Sequence, residues 1–444
     1  MSKIERLRLA AVMIAVGLLA PVSASASPPQ CRMGAEGKEV RHLLGGHWER
    51  RAELYERDVT TSLSDISADT PTDRNMGLAL PDVDRIVTGE MATLDYLDAS
   101  TRRFRSYGAS QKRRIPFVLT LPETDDEEVP VVVFGHGVKT SRELVYLVAN
   151  TLAENGYAVF AIDFPYHGAR AICTRHSDCA GDAWCTDRGA CRSAGDDEGR
   201  LRTVEAPEWM WPGGPSYPLT SGRAFLELDD FRATRAHFAQ ALVDLMQSVR
   251  VIQGADWHEA TNGYRLDGED ITYVGVSLGG IIGADLAAVE PEIDTYVLNA
   301  AGGEFLHLIQ NSVTLTPKFE RMLLVRGYHR NTAEYADFRR RAQSKLSHVD
   351  PVDVTPHATR GDYAFFDAKT DTWKCAPDRN ILLQMGDGDE VVPNRTTRRL
   401  ASAADLSISV YQPFWLKHHY FLRPTSPTGT RARRQAVEFL DSHR

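Results

Sequence analysis

The sequence predicts an α/β protein built on a mostly parallel sheet. Short, continuously apolar runs stand at 129–134 and 157–162, and the segment between them, 143–155, has apolar residues at helical spacing. Strands that are buried on both faces have such continuous apolar runs, and a parallel connection needs a long return path, which a helix provides. The same alternation of strand and helix returns in the carboxyl half of the chain.

Length and composition fit one enlarged globular domain with a large core. The chain has 444 residues, of which 43% are apolar and 25% charged. Its formal net charge of -9 supplies no positive field for a polyanion, so we expect no nucleic-acid partner. No P-loop, G-x-G-x-x-G or H-E-x-x-H motif occurs, and we therefore expect no cofactor and no catalytic metal.

The amino terminus predicts a secreted protein. Three basic residues precede an apolar stretch at 9–22, and small residues follow at 24–26, which is typical of a signal peptide cleaved near Ala26. The stretch is shorter than the roughly 20 apolar residues that span a bilayer, and Gly17 and Pro21 interrupt it. We expect no stable membrane span, and a location in the periplasm or outside the cell.

The elements divide the chain into a signal peptide (1–26), an amino-terminal extension packed on the catalytic domain (27–114) and the catalytic domain (115–444). The extension is expected to be polar and helix-poor to about residue 110. Strands are predicted at 115–121, 129–134, 157–162, 271–274, 296–298, 381–385 and 408–411, and helices at 143–155, from 229 or 230 to 252, at 278–289 and at 431–440. Two insertions interrupt this pattern: 170–225, with a cysteine-rich module and a Trp/Pro/Gly-rich loop, and 303–374, a helical and irregular cap.

All six cysteines would enter an oxidising compartment after signal cleavage, so we expect disulfides. Four of them form a C-x5-C-x5-C-x5-C run in a polar stretch with almost no core-forming residue. Zinc sites usually pair thiolates two to four residues apart, which disfavours a metal knuckle. Spacing alone leaves fifteen connectivities open. The run resembles small Cys-Ser-Asp-Cys modules inserted in secreted proteins of predatory and soil bacteria, and this resemblance implies the pairs Cys173–Cys185, Cys179–Cys191 and Cys31–Cys375.

A nucleophile is predicted at Ser277. The sequence Gly275-Val276-Ser277-Leu278-Gly279 lies between a predicted strand and a predicted helix, where a G-x-S-x-G nucleophile elbow must lie. The serine of such an elbow occupies a strained turn, and the flanking glycines keep the strand and the helix from colliding with it.

An acid and a base follow in the order Ser, Asp, His that α/β-hydrolases use. The stretch 386–393 resembles the Gly-x-x-Asp-x-x-Val-Pro turn that carries the acid in this superfamily, and the match assigns the acid to Asp389 with Asp387 as the alternate. Beyond the last predicted strand, His419-Tyr-Phe matches the His-x-Phe of the family. We therefore prefer His419 as the base and keep His418 as the alternate.

Two backbone amides are predicted to form an oxyanion hole. Leu278, directly after the nucleophile, supplies the first N–H. The loop His136-Gly137-Val138 follows the apolar strand at 129–134, as the oxyanion loop of the superfamily does, and we assign the second donor to Val138. His136 is expected to buttress this turn without transferring protons.

With these elements in order, residues 115 to 444 resemble the α/β-hydrolase superfamily, and in particular secreted bacterial esterases and lipases. The resemblance implies a mostly parallel central sheet with helices on both faces and a cap. It also implies hydrolysis of carboxylic esters, including lipid esters, through an acyl-enzyme, with a small-molecule or lipid ester as substrate.

Two alternatives remain open. A prolyl-oligopeptidase-like serine peptidase would use the same triad, although the segment before the first strand is short for a propeller. A non-catalytic binding protein on a hydrolase scaffold would not need the triad. Oligomeric state and natural substrate are not predicted.

Overall fold

The computed structural model describes residues 37–72, 78–105, 109–126, 128–194, 198–205, 214, 216–361, 364–376 and 378–444, with no side chains for 37–41. The predicted signal peptide, Cys31 and the loop at 209–211 lie outside these residues.

Strands and helices alternate along the carboxyl two thirds of the chain. The strands are β1 Leu63–Asp69, β2 Val83–Asp95, β3 Gln111–Pro122, β4 Val129–Gly135, β5 Ala158–Ile162, β6 Trp184–Cys185, β7 Cys191–Arg192, β8 Thr203–Glu205, β9 Ser216–Pro218, β10 Leu266–Val276, β11 Thr295–Asn299, β12 Ala364–Asp367, β13 Thr372–Cys375, β14 Asn380–Gly386 and β15 Ile408–Tyr411. The α-helices are α1 Gly37–Glu56, α2 Tyr146–Ala153, α3 Phe231–Gly254, α4 Trp257–Thr261, α5 Leu278–Leu286, α6 Phe305–Asn311, α7 Thr316–Val325, α8 Ala333–Leu346, α9 Pro351–Val354, α10 Asn394–Ala404 and α11 Pro427–Asp441. Short 3₁₀ turns cover Arg142–Val145, Gly168–Arg170, His176–Asp178, Ser347–Val349, Thr355–His357 and Tyr420–Leu422.

The central sheet has the order and directions of the α/β-hydrolase fold. Its nine strands run β1-β2-β3-β5-β4-β10-β11-β14-β15. Neighbours from β5 to β15 pair in parallel, whereas β1, β2 and β3 pair antiparallel and β3 is antiparallel to β5. The predicted fold class is confirmed. β4 and β5 are parallel neighbours connected through α2, and β10 lies between parallel partners on both sides.

Helices cover both faces of this sheet. One face packs against α3, α5 and α10, and the other packs against α2 and α11. Helix α3 begins at Phe231 because the Asp230 side chain accepts from the amides of Arg232 and Ala233, which satisfies donors that the first turn leaves free. The central strands β4 and β5 are buried along their whole length, as their apolar sequences predict.

The expectation of a helix-poor amino-terminal segment is wrong. Residues 37–56 form a helix, and β1 and β2 extend the central sheet on its antiparallel side. In α1, Trp48 stacks on Phe365 at 4.2 Å between ring centroids, and Arg51 pairs with Glu290 and Asp367 at 3.4 and 3.3 Å. Eight of the 20 residues of this helix are charged, and its apolar side becomes evident only from its contacts with residues distant in the sequence.

The two insertions differ in structure. The cysteine-rich module contains the two-residue strands β6 and β7 and the 3₁₀ turn His176–Asp178. It is cross-linked by Cys173–Cys185 and Cys179–Cys191, which confirms both predicted pairs. Cys375 is disulfide-bonded, and the predicted partner Cys31 lies outside the described residues. The segment 303–374 carries α6 to α9, as its helical pattern predicts, and the start of the separate hairpin β12-β13. Among the described residues, no helix is both long and apolar enough to cross a bilayer.

One buried carboxyl group in this core has no hydrogen-bond partner in the part of the chain that the structure describes. Asp285 lies in the last turns of α5 with 1% of its surface exposed, and neither of its oxygens makes a hydrogen bond to the described residues. Burial raises the pKa of Asp285 well above its ordinary value, and the nearby carboxyls of Asp350 and Asp353 raise it further. The neutral acid is therefore the form that the folded protein holds most easily.

This carboxyl predicts a specific dependence of stability on pH. Because its pKa is higher in the folded than in the unfolded state, the free energy of unfolding falls as pH rises from the unfolded pKa toward the folded one. Asp285→Asn removes this loss, so we expect the variant to be more stable than the wild type by about 1–3 kcal/mol at pH 8, with a smaller difference at pH 5. Urea denaturation at both pH values measures this, and equal differences at the two would contradict it.

Candidate active site

The predicted nucleophile lies on a strained turn between β10 and α5. Ser277 has φ 57° and ψ −116°, a conformation that side chains rarely adopt. A Cβ at Gly275 would lie 2.4 Å from the carbonyl oxygen of Gly279, and a Cβ at Gly279 would lie 2.0 Å from that of Gly135. The two glycines are therefore required by close contact between the backbones of β10, α5 and β4, and not by contact with the serine as the sequence predicts.

A phenol holds the start of α5 against the sheet. Tyr273, on β10, donates from its hydroxyl to the carbonyl oxygen of Gly279 at 2.7 Å, and its ring occupies the space that a Cβ at Gly135 would need. Tyr273 thus anchors the turn, and Ser277, which is 6% exposed, lies directly after the carboxyl end of β10.

The predicted acid Asp389 lies in the turn after β14. Its Oδ1 accepts from the amides of Val391 and Val392 at 2.8 and 3.1 Å, which orients the carboxylate and leaves Oδ2 to accept from the Nδ1 of His418 at 2.7 Å. Asp387, the alternate acid, instead accepts from the side chain of Gln412 at 3.2 Å.

The histidine that joins the serine to the acid is His418. Its Nε2 lies 2.8 Å from the Oγ of Ser277, and its exposed fraction is 6%. Because Nδ1 faces a carboxylate, which accepts hydrogen bonds, that nitrogen carries the proton and Nε2 presents its lone pair to the serine hydroxyl. A continuous chain of hydrogen bonds therefore runs from Asp389 through His418 to Ser277.

The preference for His419 is corrected by this geometry. His419 lies beside the ring of His418, 4.8 Å between centroids and nearly perpendicular, and it enters the 3₁₀ turn Tyr420–Leu422. Burial, followed by the nearby His418, lowers the pKa of His419 to about 4. Adjacent residues in a turn point in different directions, so only one of the two rings can face Ser277. The alternate His418 does so.

The predicted oxyanion loop passes directly over the serine. A Cβ at Gly137 would lie 3.7 Å from that of Ser277, and the carbonyl of Gly137 is turned away by hydrogen bonds from Thr140 and His136 at 2.6 and 2.9 Å. Val138 follows half-buried, and Leu278 is the first residue of α5, where helix N–H groups have no partner within the helix. Both predicted donors thus lie in segments that adjoin the serine hydroxyl.

His136 has the structural position expected for it. Its Nε2 accepts from the amide of Phe164 at 3.0 Å, so Nδ1 carries the proton that is donated to the Gly137 carbonyl. Burial lowers the pKa of His136 to about 4, and the ring is neutral at ordinary pH. Asp163 accepts from the amides of Arg142 and Ala169, each at 2.8 Å, and fixes the segment after the loop.

The sequence did not single out Ser221, which braces the oxyanion loop from the first insertion. Its Oγ donates to the carbonyl of Thr140 at 2.5 Å and accepts from the amide of Gly168 at 3.0 Å. Ser221 is separated from Thr140 by 81 positions, and no local pattern could have indicated the contact.

No described cluster offers a metal site beside the serine. The sulfurs of Cys173, Cys179 and Cys191 lie within 4.8 Å of one another, but each belongs to a disulfide and carries no thiolate to bind an ion. The groups at the serine are instead a hydroxyl, an imidazole, a carboxylate and backbone amides, which together suit nucleophilic attack on a carbonyl carbon.

Comparisons with known proteins return structures of esterases. Acetyl xylan esterase 1 from Thermoanaerobacterium sp. JW/SL YS485 is 14% identical with a TM-score of 0.45, over 90% of this chain and 98% of that one. Acetyl xylan esterase from Paenibacillus sp. R4 is 12% identical with a TM-score of 0.49, over 93% and 96%. Esterase B from Lactobacillus Rhamnosis (HN001) is 12% identical with a TM-score of 0.42, over 92% and 96%. No family model and no curated protein matches the chain.

The two adjacent histidines give a direct test of the site. We expect His418→Ala to slow the labelling of Ser277 by a fluorophosphonate by at least about 10³-fold, because the serine loses its proton acceptor. His419→Ala, the matched control, should change the rate by less than about threefold. Circular dichroism first checks that both variants are folded, and their labelling rates are then compared with that of the wild type. A larger loss for His419→Ala than for His418→Ala would overturn the assignment.

Proposed function

We propose that this chain is a secreted serine hydrolase that cleaves carboxylic esters through an acyl-enzyme. The observation that carries the proposal is the unbroken chain of hydrogen bonds from Asp389 to His418 to Ser277, with the serine on a strained elbow. A binding protein has no need of a strained serine whose hydroxyl faces an oriented imidazole, and such strain is typical of functional sites.

His418 acts as the base in the first step. It takes the proton of the Ser277 hydroxyl as Oγ attacks the ester carbonyl, and Asp389 stabilises the imidazolium that forms. The imidazolium then gives this proton to the departing alcohol oxygen, and the acyl group stays on Ser277. Water, activated by the same His418, attacks the acyl-enzyme, and the acid leaves with the serine restored.

The amides of Val138 and Leu278 donate to the oxyanion of each tetrahedral intermediate. An amide aimed at developing negative charge in a site shielded from water contributes on the order of 3 kcal/mol to the transition state. The amino end of α5 adds the favourable field of its aligned peptide dipoles.

This arrangement fits acyl esters as the substrate class, and we propose that the activity is that of a carboxylesterase. The peptidase alternative would require the site to protonate an amine leaving group and to bind a peptide, and no described feature favours it. The two disulfides of the cysteine-rich module support an oxidising location, since such bonds persist outside the cytosol, and they accord with the predicted signal peptide.

A panel of substrates tests the proposal. We expect turnover of p-nitrophenyl esters from acetate upward, little or no release from an Ala-Pro p-nitroanilide, and a loss of at least about 10³-fold in kcat/KM for Ser277→Ala. Ser344→Ala, an exposed serine on α8, is the control and should match the wild type. Faster cleavage of the anilide would favour the peptidase, and a folded protein without turnover or labelling would favour the binding protein.

A further inference from the structure

The base of the proposed triad lies on a loop with few anchors of its own. His418 follows β15 by seven residues, and the intervening Phe414 and Trp415 are 97% and 48% exposed. The exposed Phe414 contributes little to fixing the loop, and the Trp415 ring packs under the guanidinium of Arg423, which follows on the same segment, at 4.0 Å. What fixes the position of His418 relative to Ser277 must therefore lie close to the histidine in the chain or beneath it.

The nearest buried anchor is Tyr420, two residues after His418. Its side chain is fully buried, with the ring in a slot left open by Gly386, and Gly429 lies against its backbone carbonyl. A Cβ at Gly386 would lie 3.1 Å from the tyrosine ring and 2.3 Å from the carbonyl oxygen of Lys417, and a Cβ at Gly429 would lie 2.2 Å from that of Tyr420. Any larger residue at these glycines would displace the loop that carries His418.

The hydroxyl of Tyr420 is held by Asn299, at the end of β11. The Nδ2 of Asn299 donates to the Tyr420 hydroxyl at 2.7 Å, and both residues are fully buried. The carbonyl oxygen of the same Asn299 accepts from the amide of Ser277 at 2.9 Å. One residue therefore contacts the nucleophile through its backbone and the loop of the base through its side chain.

The side-chain amide of Asn299 also contacts β14, the strand that precedes Asp389. Asn299 Nδ2 donates to the Oε1 of Gln384 at 3.1 Å, and Gln384 lies on β14 two residues before Gly386. The Nε2 of Gln384 in turn donates to the carbonyl of Ala432 at 2.9 Å on α11. Buried hydrogen bonds thus join the segments that carry Ser277, Asp389 and His418 at a single asparagine.

From this arrangement we infer that Asn299 and Tyr420 are positioning residues that set the distance between His418 Nε2 and Ser277 Oγ. The inference rests on the proposed function and adds to it two residues that do not touch the reacting atoms. Misplacing a catalytic group by about 1 Å can cost on the order of 10² in rate, whereas the loss of one buried hydrogen bond costs stability wherever it occurs. A positioning role therefore predicts a loss in kcat that a purely structural role does not.

Tyr420→Phe tests the role of the hydroxyl while keeping the ring in its slot. We expect kcat for p-nitrophenyl acetate to fall about 10- to 100-fold with KM changed by less than twofold, and fluorophosphonate labelling of Ser277 to slow by a similar factor. Tyr157→Phe is the matched control. Tyr157 is as buried as Tyr420, its hydroxyl donates to Asp441 at 2.7 Å and not to the Asn299 network, and its removal should leave kcat within twofold.

A double-mutant cycle separates positioning from general destabilisation. Asn299→Ala should lower kcat by a similar factor, and the double variant Asn299→Ala/Tyr420→Phe should lose little more than either single one, because both remove the same contact. Thermal melts confirm that each variant is folded at the assay temperature, and Asn299→Ala carries the test if Tyr420→Phe does not fold.

Two outcomes would overturn the inference. One is an unchanged kcat and labelling rate in folded Tyr420→Phe or Asn299→Ala. The other is a loss of kcat in the double variant equal to the product of the two single losses, as for independent sites. Failure of the proposed function is recognised separately, since a wild-type protein that neither labels nor turns over esters fails before any variant is compared. A wild type that labels without turnover leaves the labelling rate as the readout for positioning.

Discussion

The candidate site depends on one constraint, the close approach of the α5 backbone to β4 and β10. Glycines at 135, 275 and 279 permit this contact, since any side chain there would place atoms within about 2 to 3 Å of opposing backbone or of Tyr273. Only with α5 seated in this way does Ser277 take its strained conformation beneath Gly137, within reach of the imidazole. These glycines are a feature of the local sequence, and their close backbone packing determines where the proposed nucleophile lies.

The parts of the fold and site that depend on local sequence could be predicted. Apolar runs of strand length, a serine between two glycines and a turn of the Asp389 type each carry their signal within a few residues. The choice between His418 and His419 could not be made in this way, because it depends on the Tyr420 ring entering the slot beside Gly386, where its hydroxyl meets Asn299, and on Gly429 packing against the Tyr420 backbone. Those contacts join residues from β11, β14 and α11, and no pattern around the histidines contains them.

The amino-terminal segment illustrates the same limit on a larger scale. Helix α1 is rich in charge, and β1 is mostly exposed or half-buried, so neither has the apolar periodicity from which elements are predicted. Their stability comes from tertiary partners, namely the hairpin β12-β13 for the helix and β2 for the strand. The disulfide pairs of the first insertion were accessible only through resemblance, because spacing alone permits many pairings.

The ion pairs of Arg51 have a consequence for handling the protein. The guanidinium is 2% exposed and pairs with the buried carboxylates of Glu290 and Asp367, and Asp367 also pairs with Lys374 at 2.7 Å. Trimming the gene so that it begins after this helix would retain every residue of the proposed triad, yet it would take away the cation that pairs with the buried Glu290, at a cost of several kcal/mol. Affinity tags, fusion partners and protease sites therefore belong ahead of the helix, and a minimal fragment that starts at the first parallel strand would be a poor choice for expression.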